Sequence, residues 1–308
     1  MMAPRNFLGF TSEKISCMRS SYACATDLFG SMISSDRMTR RTLLSAAPLP
    51  LLAAPSEIQL IIIGDDIGAV HAIGEGTMLA YQKGIMRTAN LIVPGPWLLE
   101  AAKQFEANPG LDVGIHLTLT SEWDTVKWRP LTAMPSLTDA HGFLPPRTRD
   151  VLAPGVKLSE VERELRAQIE LAKRLIPRAC SLSAHMGAAT ASPALRELTQ
   201  RLAAEYKTPI QNELQSVHRI KTPYSGNSTA EEKVSAMVTM IEALGRGLHS
   251  MLDHPATDTP EMRRVSHPGN ENVAEQRAGV LHAWTHPRVM EAVQKQNIRL
   301  TSIGASLA

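Results

Sequence analysis

The chain predicts one α/β domain, a barrel-like arrangement of parallel strands with its chemistry at the C-terminal strand ends. Two observations carry this. From residue 58 onward, strand-like apolar runs alternate with helix-like amphipathic ones, the pattern of βα units around a parallel sheet. Carboxylates and histidines also recur just past those apolar runs, at Asp65, Asp66, His116, His185 and His254. In a closed α/β barrel the C-terminal strand ends share one mouth, so residues far apart in sequence can converge there. No internal repeat and no linker divides the segment, which favours one domain over residues 56–308.

The elements follow in order. Ile58 to Ile63 is an apolar run that ends at Gly64 and delivers Asp65-Asp66. His71 to Lys83 reads as a helix stopped by Gly84. Arg87 to Val93 is a strand ended by Pro94-Gly95-Pro96, and Trp97 to Ala107 a helix stopped by Asn108-Pro109-Gly110. Leu111 to Ile115 is the strand that delivers His116. Between Ser121 and Gly155 periodicity disappears, which predicts a long functional loop, since structureless connections of that length are otherwise uncommon. Ser159-Glu160-Val161-Glu162 reads as a capping box opening a helix with Val161, Leu165, Ile169, Ala172 and Ile176 on one face. Ala179 to Ala184 is a strand delivering His185. Ser192-Pro193 supplies N-cap and first turn for a helix through Tyr206. A short strand at Pro209 to Gln211 and a polar loop precede a helix from Ala230 to Leu244, introduced by Thr229-Ala230-Glu231-Glu232. The strand Gly247 to Leu252 stands just before His254. A helix at Pro287 to Gln296 and a strand at Ile298 to Ile303 complete the series.

Residues 1–55 are set apart. Met38-Thr39-Arg40-Arg41-Thr42-Leu43-Leu44, followed by an apolar stretch ending in Ala53-Ala54, has the order of a twin-arginine export signal. It predicts the twin-arginine machinery as a partner and a periplasmic product. The apolar run is too short and too interrupted by proline to span a membrane, so no stable membrane insertion is expected. Met38 would itself serve as a start for such a signal. Only Cys180 falls after this segment, so neither a disulfide framework nor a cysteine zinc site can be built. A net charge of +2 with no basic stripe interleaved with aromatics predicts no nucleic-acid partner.

An acidic pair with no neighbouring base in sequence is costly unless something cationic binds there. A divalent metal, magnesium or zinc, is the expected cofactor, because such ions need several ligands converging from distant parts of a fold. Trp123 and Trp128, in the loop after His116, are candidates to stack on a ligand, with packing of the loop as the alternative. Glu122 or Arg129 is a candidate to reach its polar groups. Arg277 either pairs with Asp65 or lies on the surface.

Ile63-Gly64-Asp65-Asp66-Ile67-Gly68, Val113-Gly114-Ile115-His116-Leu117-Thr118-Leu119-Thr120, Ser183-Ala184-His185-Met186-Gly187 and Asp253-His254-Pro255 resemble, in this order, the motifs of the YdjC-like carbohydrate deacetylases. Glu164-Leu165-Arg166-Ala167-Gln168-Ile169 in an intervening helix adds to the similarity, which runs from about residue 58 to 304. The resemblance implies a distorted (β/α) barrel and divalent-cation-dependent hydrolysis of an N-acetyl group from a small carbohydrate. It also implies Asp66, His116 and His185 as metal ligands and Asp65 as general base. His254 is then the candidate acid for the leaving amine, since imidazole titrates near working pH. The chain departs from the family at Ser183, Gly187 and Ala189, where members commonly carry an Asp before the third-motif histidine and further histidines after it. Part of the polar surround of His185 is therefore expected to be missing.

Three other readings compete. A phosphoester hydrolase is disfavoured by the lack of a phosphate-cradling loop or basic cluster at the site. Hydrolysis of a different amide or ester keeps the metal and changes the bond. A decayed, purely carbohydrate-binding protein is disfavoured because binding alone has no need of the base Asp65. A homodimer stays open as the assembly.

Overall fold

The computed structural model describes residues 57–307. The Arg40-Arg41 pair and its apolar stretch lie outside them. In chain order the described elements are β1 (Ile58–Ile67), α1 (His71–Lys83), β2 (Thr88–Leu91), α2 (Leu98–Ala107), β3 (Asp112–Leu117), α3 (Thr148–Val151), α4 (Leu158–Leu175), β4 (Ser181–Ala184), α5 (Pro193–Glu205), β5 (His218–Arg219), α6 (Ala230–Glu242), β6 (Gly247–Asp253), α7 (Val273–Thr285), α8 (Pro287–Lys295), β7 (Arg299–Leu300) and α9 (Ile303–Leu307). All strand pairs are parallel, in the order β4-β3-β2-β1-β6-β5 with β7 against β1. The sheet curls into a half-barrel, a distorted form of the expected barrel.

β1 is central and is buried from Leu60 to its end at Ile67, as a strand covered on both faces requires. Helices pack outside it, among them α4, which buries Val161, Leu165, Ile169 and Ala172 along the expected face. Ser192 caps α5 by accepting from the Leu195 N–H, and Thr229 with Glu232 forms a reciprocal capping box on α6. At α4 the expected capping box is absent. The helix starts at Leu158 with no side-chain cap, and Glu160 instead accepts from Ser136 N and Oγ.

That difference shows how the long loop is held. The buried Glu164 carboxylate accepts from Leu131 N at 2.9 Å and from Thr132 N and Oγ1 at 2.8 Å. Gln168, one turn on, exchanges two hydrogen bonds with the Thr118 backbone at the end of β3. The loop is therefore fastened to α4 by polar groups on its inner face. Glu164→Ala should cost about 3 kcal/mol of stability, because it strands buried donors that had a charged acceptor. Denaturant unfolding measures the loss, and unchanged stability would mean that water replaces the carboxylate.

Three further elements differ from expectation. Pro209 to Gln211 makes only a bridge, Ile210 to Leu182, before Gln211 enters a single 3-10 turn. The last strand shortens to Arg299–Leu300, with α9 taking up Ile303. α7, absent from the sequence pattern, is a full thirteen-residue helix. Among the described residues no helix is long and apolar enough to cross a membrane.

Candidate active site

β1 does not run regularly to its end. Gly64 pairs with Ala89 and Ile67 with Leu91, so Asp65 and Asp66 together face the single residue Asn90. The extra residue makes a β-bulge, which re-aims side chains. Asp66 adopts φ 74°, a left-handed conformation that Asp and Asn tolerate better than other side chains. Neighbours on a regular strand point to opposite faces. Here both carboxylates reach one imidazole nitrogen, His116 Nε2, with Asp65 Oδ2 at 3.6 Å and Asp66 Oδ1 at 3.5 Å.

His116 comes from β3 and His185 directly follows β4. The β3–β4 register sets Ser183 beside His116, and Ser183 Oγ lies 2.7 Å from His116 Nδ1. His185 turns the other way round: Nδ1 is 3.3 Å from Asp66 Oδ1 and Nε2 is 2.9 Å from Glu122 Oε2. Each ring thus has one nitrogen tied to an outer partner and the other aimed at Asp66. Such outer partners fix tautomer and ring orientation in metal sites.

Asp66, His116 and His185 offer ligand atoms that all lie within 4.8 Å of one another. Asp66 Oδ1, between the two rings, is buried and has no hydrogen-bond partner among the described residues. A buried carboxylate oxygen without a partner is unfavourable. Two imidazoles and this oxygen are a donor set that fits a divalent cation.

The remaining carboxylate oxygens have distinct partners. Asp66 Oδ2 accepts from Arg277 Nη2 at 2.7 Å and lies 3.8 Å from His254 Nε2. Asp65 Oδ1 accepts from Asn90 Nδ2 at 2.7 Å. Asn90, Gly114 and Ser181 occupy one row across β2, β3 and β4. The missing side chain of Gly114 leaves room for Gln211 Nε2 to donate to Asn90 Oδ1 at 2.7 Å and Ser181 Oγ at 2.9 Å. A Cβ at Gly114 would overlap both amides. This buried network aims Asn90, and Asn90 aims Asp65. On the opposite side Asp253 Oδ1 lies 3.3 Å from His254 Nδ1. His254, Arg277, Glu122, Trp123 and Met186 share the wall of a cavity of about 400 Å³.

The charges divide sharply. Burial works against ionisation of Asp66, but Arg277, His254 and His185 outweigh it and hold the carboxyl well below its usual range. Burial lowers the His116 imidazole, against the pull of Asp65, so this ring is neutral. Burial also opposes the His254 cation, yet Asp66 and Asp253 raise its pKa. For His185 burial is overcome by Glu122 and Asp66, and the ring is pushed up to about 10. In the metal-free protein His185 therefore carries a proton that a cation must expel. Apparent metal affinity should fall about tenfold for each pH unit below that value. Calorimetry at pH 7.5 in buffers of different ionisation heat should record about one proton released per ion. No release would mean that His185 is already neutral.

The sequence candidates divide as follows. Asp65, Asp66, His116, His185 and His254 meet at one mouth. Arg277 is not on the surface and does not pair with Asp65: it is nearly buried, ion-paired with Asp66, and lies over the Trp123 ring at 5.2 Å. Trp128 is buried, donates its indole N–H to Thr120 O, and sets its ring edge-on to His185 at 5.9 Å. Trp123 packs edge-on against Trp128 and reaches the cavity wall. Arg129 lies over the Phe143 ring. Gly187 and Ala189 offer no polar side chain, as expected, but His185 Nε2 has Glu122 as partner and Ser183 Oγ lies against His116 Nδ1. Asn90 and Gln211 carried no expected role, and Asp253 entered only within the Asp253-His254-Pro255 motif. The role of Asn90 shows only in the pairing of β2 with β1 and β3.

The YdjC-like protein family matches residues 59–295. A carbohydrate deacetylase of Thermus thermophilus is 33% identical over 227 residues, covering 67% of this chain and 80% of that protein. A carbohydrate deacetylase of Geobacillus stearothermophilus is 26% identical over 251 residues, covering 78% and 94%. The crystal structure of an Enterococcus faecalis V583 protein, provisionally described as a cellobiose-phosphate cleavage protein, superposes with a TM-score of 0.69 at 23% identity. It covers 82% of this chain and 100% of that one, a likeness of fold.

Proposed function

The chain belongs to the YdjC-like family, and on that footing we propose that it is a carbohydrate deacetylase that hydrolyses the N-acetyl group of an amino sugar with the help of a divalent cation. One observation carries the reading: the unpartnered Asp66 Oδ1 faces two imidazole nitrogens, with Asp65 beside them and His254 across from them at the cavity wall. Asp66, His116 and His185 would hold the cation. When bound, it supplies polarisation of the amide carbonyl and a lower pKa for water. Two imidazoles suit zinc better than magnesium, which prefers oxygen ligands.

The protein's own groups supply the proton transfers. Asn90 fixes Asp65 by one oxygen, leaving Oδ2 free to accept the proton of an attacking water. His254, whose pKa is raised by Asp66 and Asp253 against burial, favours its protonated form and can donate from Nε2 to the amine nitrogen as the C–N bond breaks. Water thus adds to the carbonyl carbon and gives one proton to Asp65, His254 gives one to the amine nitrogen as the C–N bond breaks, and the acetic acid that separates from the free amine loses its remaining proton to solvent as acetate. The bond of Ser183 to His116 speaks against a decayed site, since it maintains a ligand orientation that sugar binding alone would not require.

Acetate release from N-acetylated sugars, with and without added zinc after chelation, tests the reading. Equal release in both conditions would remove the cation from it, and no release from any sugar would remove the deacetylase.

We further propose export by the twin-arginine route. Arg40→Lys with Arg41→Lys should retain the product in the cytoplasm, because the machinery reads the pair as an address. Fractionation that finds the variant in the periplasm would show the signal to be misread.

A further inference from the structure

We propose a second cation site, distinct from the catalytic trio, in which Glu231, His282 and His286 hold a zinc-like divalent ion that braces three helices. None of the three lines the catalytic cavity. Among the described residues they are the one group besides Asp66, His116 and His185 whose imidazole and carboxylate ligand atoms all lie within 4.8 Å of one another. The fold assembles them at helix ends. His282 stands in the last turn of α7 and His286 at the joint between α7 and α8, one helical turn on, which sets both rings on one side. Their centroids are 5.2 Å apart. Glu231, in the first turn of α6, places Oε1 3.3 Å from His282 Nε2. α6 packs against both α7 and α8, so core packing brings the three side chains together without help from an ion.

The donor set says what kind of ion. Two imidazoles and one carboxylate suit zinc and its transition-metal neighbours, whereas magnesium and calcium prefer oxygen ligands. Glu231 and His282 are exposed and His286 is half-buried, so solvent reaches the ion and can complete its coordination. Two present contacts compete, and both are weak. Arg288 Nη1 lies 3.7 Å from Glu231 Oε2, an exposed pair that contributes little and leaves Oε1 to the ion. His286 Nδ1 accepts from the Arg288 N–H at 3.2 Å, so that nitrogen already carries a lone pair. A cation takes this lone pair, or the one on Nε2 once the ring proton moves to Nδ1, and either way the bond to Arg288 ends. The freed N–H belongs to an exposed residue in the first turn of α8, where water can replace the imidazole. Once bound, the ion ties the start of α6 to the end of α7 and the start of α8. α7 also carries Arg277, the partner of Asp66, so the brace acts on a helix that completes the catalytic wall.

Equilibrium dialysis against about 0.1 mM free zinc, followed by elemental analysis, tests the site. Because the site is open to solvent, it is read at equilibrium and not after dialysis against metal-free buffer. The wild type should hold about two ions per chain, His116→Ala and His282→Ala about one each, and the two substitutions together none. In the His116→Ala background, Glu231→Gln should weaken zinc binding by about tenfold or more, since an amide oxygen is a poorer ligand than a carboxylate. Magnesium at the same concentration should leave the site empty. Thermal unfolding gives a second readout: saturating zinc should raise the melting temperature of His116→Ala by about 5 °C, and adding His282→Ala should remove the rise. A His116→Ala protein that binds no zinc, or binds it equally with and without His282 and Glu231, overturns the second site and leaves the catalytic one standing. A wild type that holds one ion, kept by His116→Ala and lost by His282→Ala, upholds the second site and removes the first.

Discussion

Asp65→Asn should lower kcat by roughly two to four orders of magnitude, the usual contribution of a general base, while the protein keeps its metal and its affinity for substrate. The substitution is nearly isosteric. Its amide oxygen can stay where Oδ1 accepts from Asn90, so the buried chain through Asn90, Gln211 and Ser181 is preserved. What changes is the other atom: an NH₂ replaces the Oδ2 that stands 3.6 Å from His116 Nε2 and can no longer accept a proton. The cation-holding trio of Asp66, His116 and His185 does not include this oxygen. Metal content by elemental analysis and kcat by acetate release therefore separate the two functions. Near-normal kcat in the variant would place the base elsewhere. A parallel fall in metal content would instead make Asp65 a ligand.

The expectation that these two carboxylates act together was legible because both stand where an apolar run ends, but their relative aim was not. A two-residue alternation would have sent them to opposite faces. The bulge between Gly64 and Ile67 that brings them together shows only in pairing with β2. The convergence of His116, His185 and His254 was legible for a similar reason: each follows an apolar run, and parallel strands put such positions on one edge. Arg277 was misjudged because the helix carrying it was not seen. α7 buries Val273, Ala274, Gly279, Val280, Ala283 and Trp284, small and large residues spread around its circumference, after an entry of Pro268, Gly269 and Asn270 that reads as loop. Without that helix nothing in the sequence turns Arg277 inward. Glu164 shows the converse. Its helix was evident, but the burial of its charge depends on the backbone N–H groups of Leu131 and Thr132, in a loop with no periodicity. Ser183 was read as a loss beside His185, the nearer histidine in sequence, whereas strand pairing sets it against His116.

Asp66→Asn should abolish detectable turnover through loss of the metal, with affinity lowered at least about a hundredfold, the upper end of what losing an outer partner costs. The backbone should accept the change, since Asn is the residue closest to Asp in tolerance of the left-handed conformation at φ 74°. The side chain cannot. Oδ1 faces His116 Nε2 and His185 Nδ1, while Oδ2 accepts from Arg277 Nη2, so both positions call for an acceptor and an amide has one. If the amide oxygen turns to the imidazoles, its NH₂ meets the Arg277 guanidinium, donor against donor. If it turns to Arg277, the NH₂ occupies the place from which a ligand oxygen is required. Either way the negative charge that balances Arg277, His254 and a protonated His185 is gone. Removing one partner of a buried ion pair costs about 3–5 kcal/mol, so the metal-free variant should also unfold at lower denaturant than the metal-free wild type. That second readout distinguishes Asp66 from a simple ligand. His116→Ala should lose the metal without comparable destabilisation, because His116 is neutral and balances no charge. Metal retained in full by Asp66→Asn after dialysis would move the cation off this carboxylate, and equal destabilisation by both substitutions would remove Asp66 as the electrostatic hub of the site.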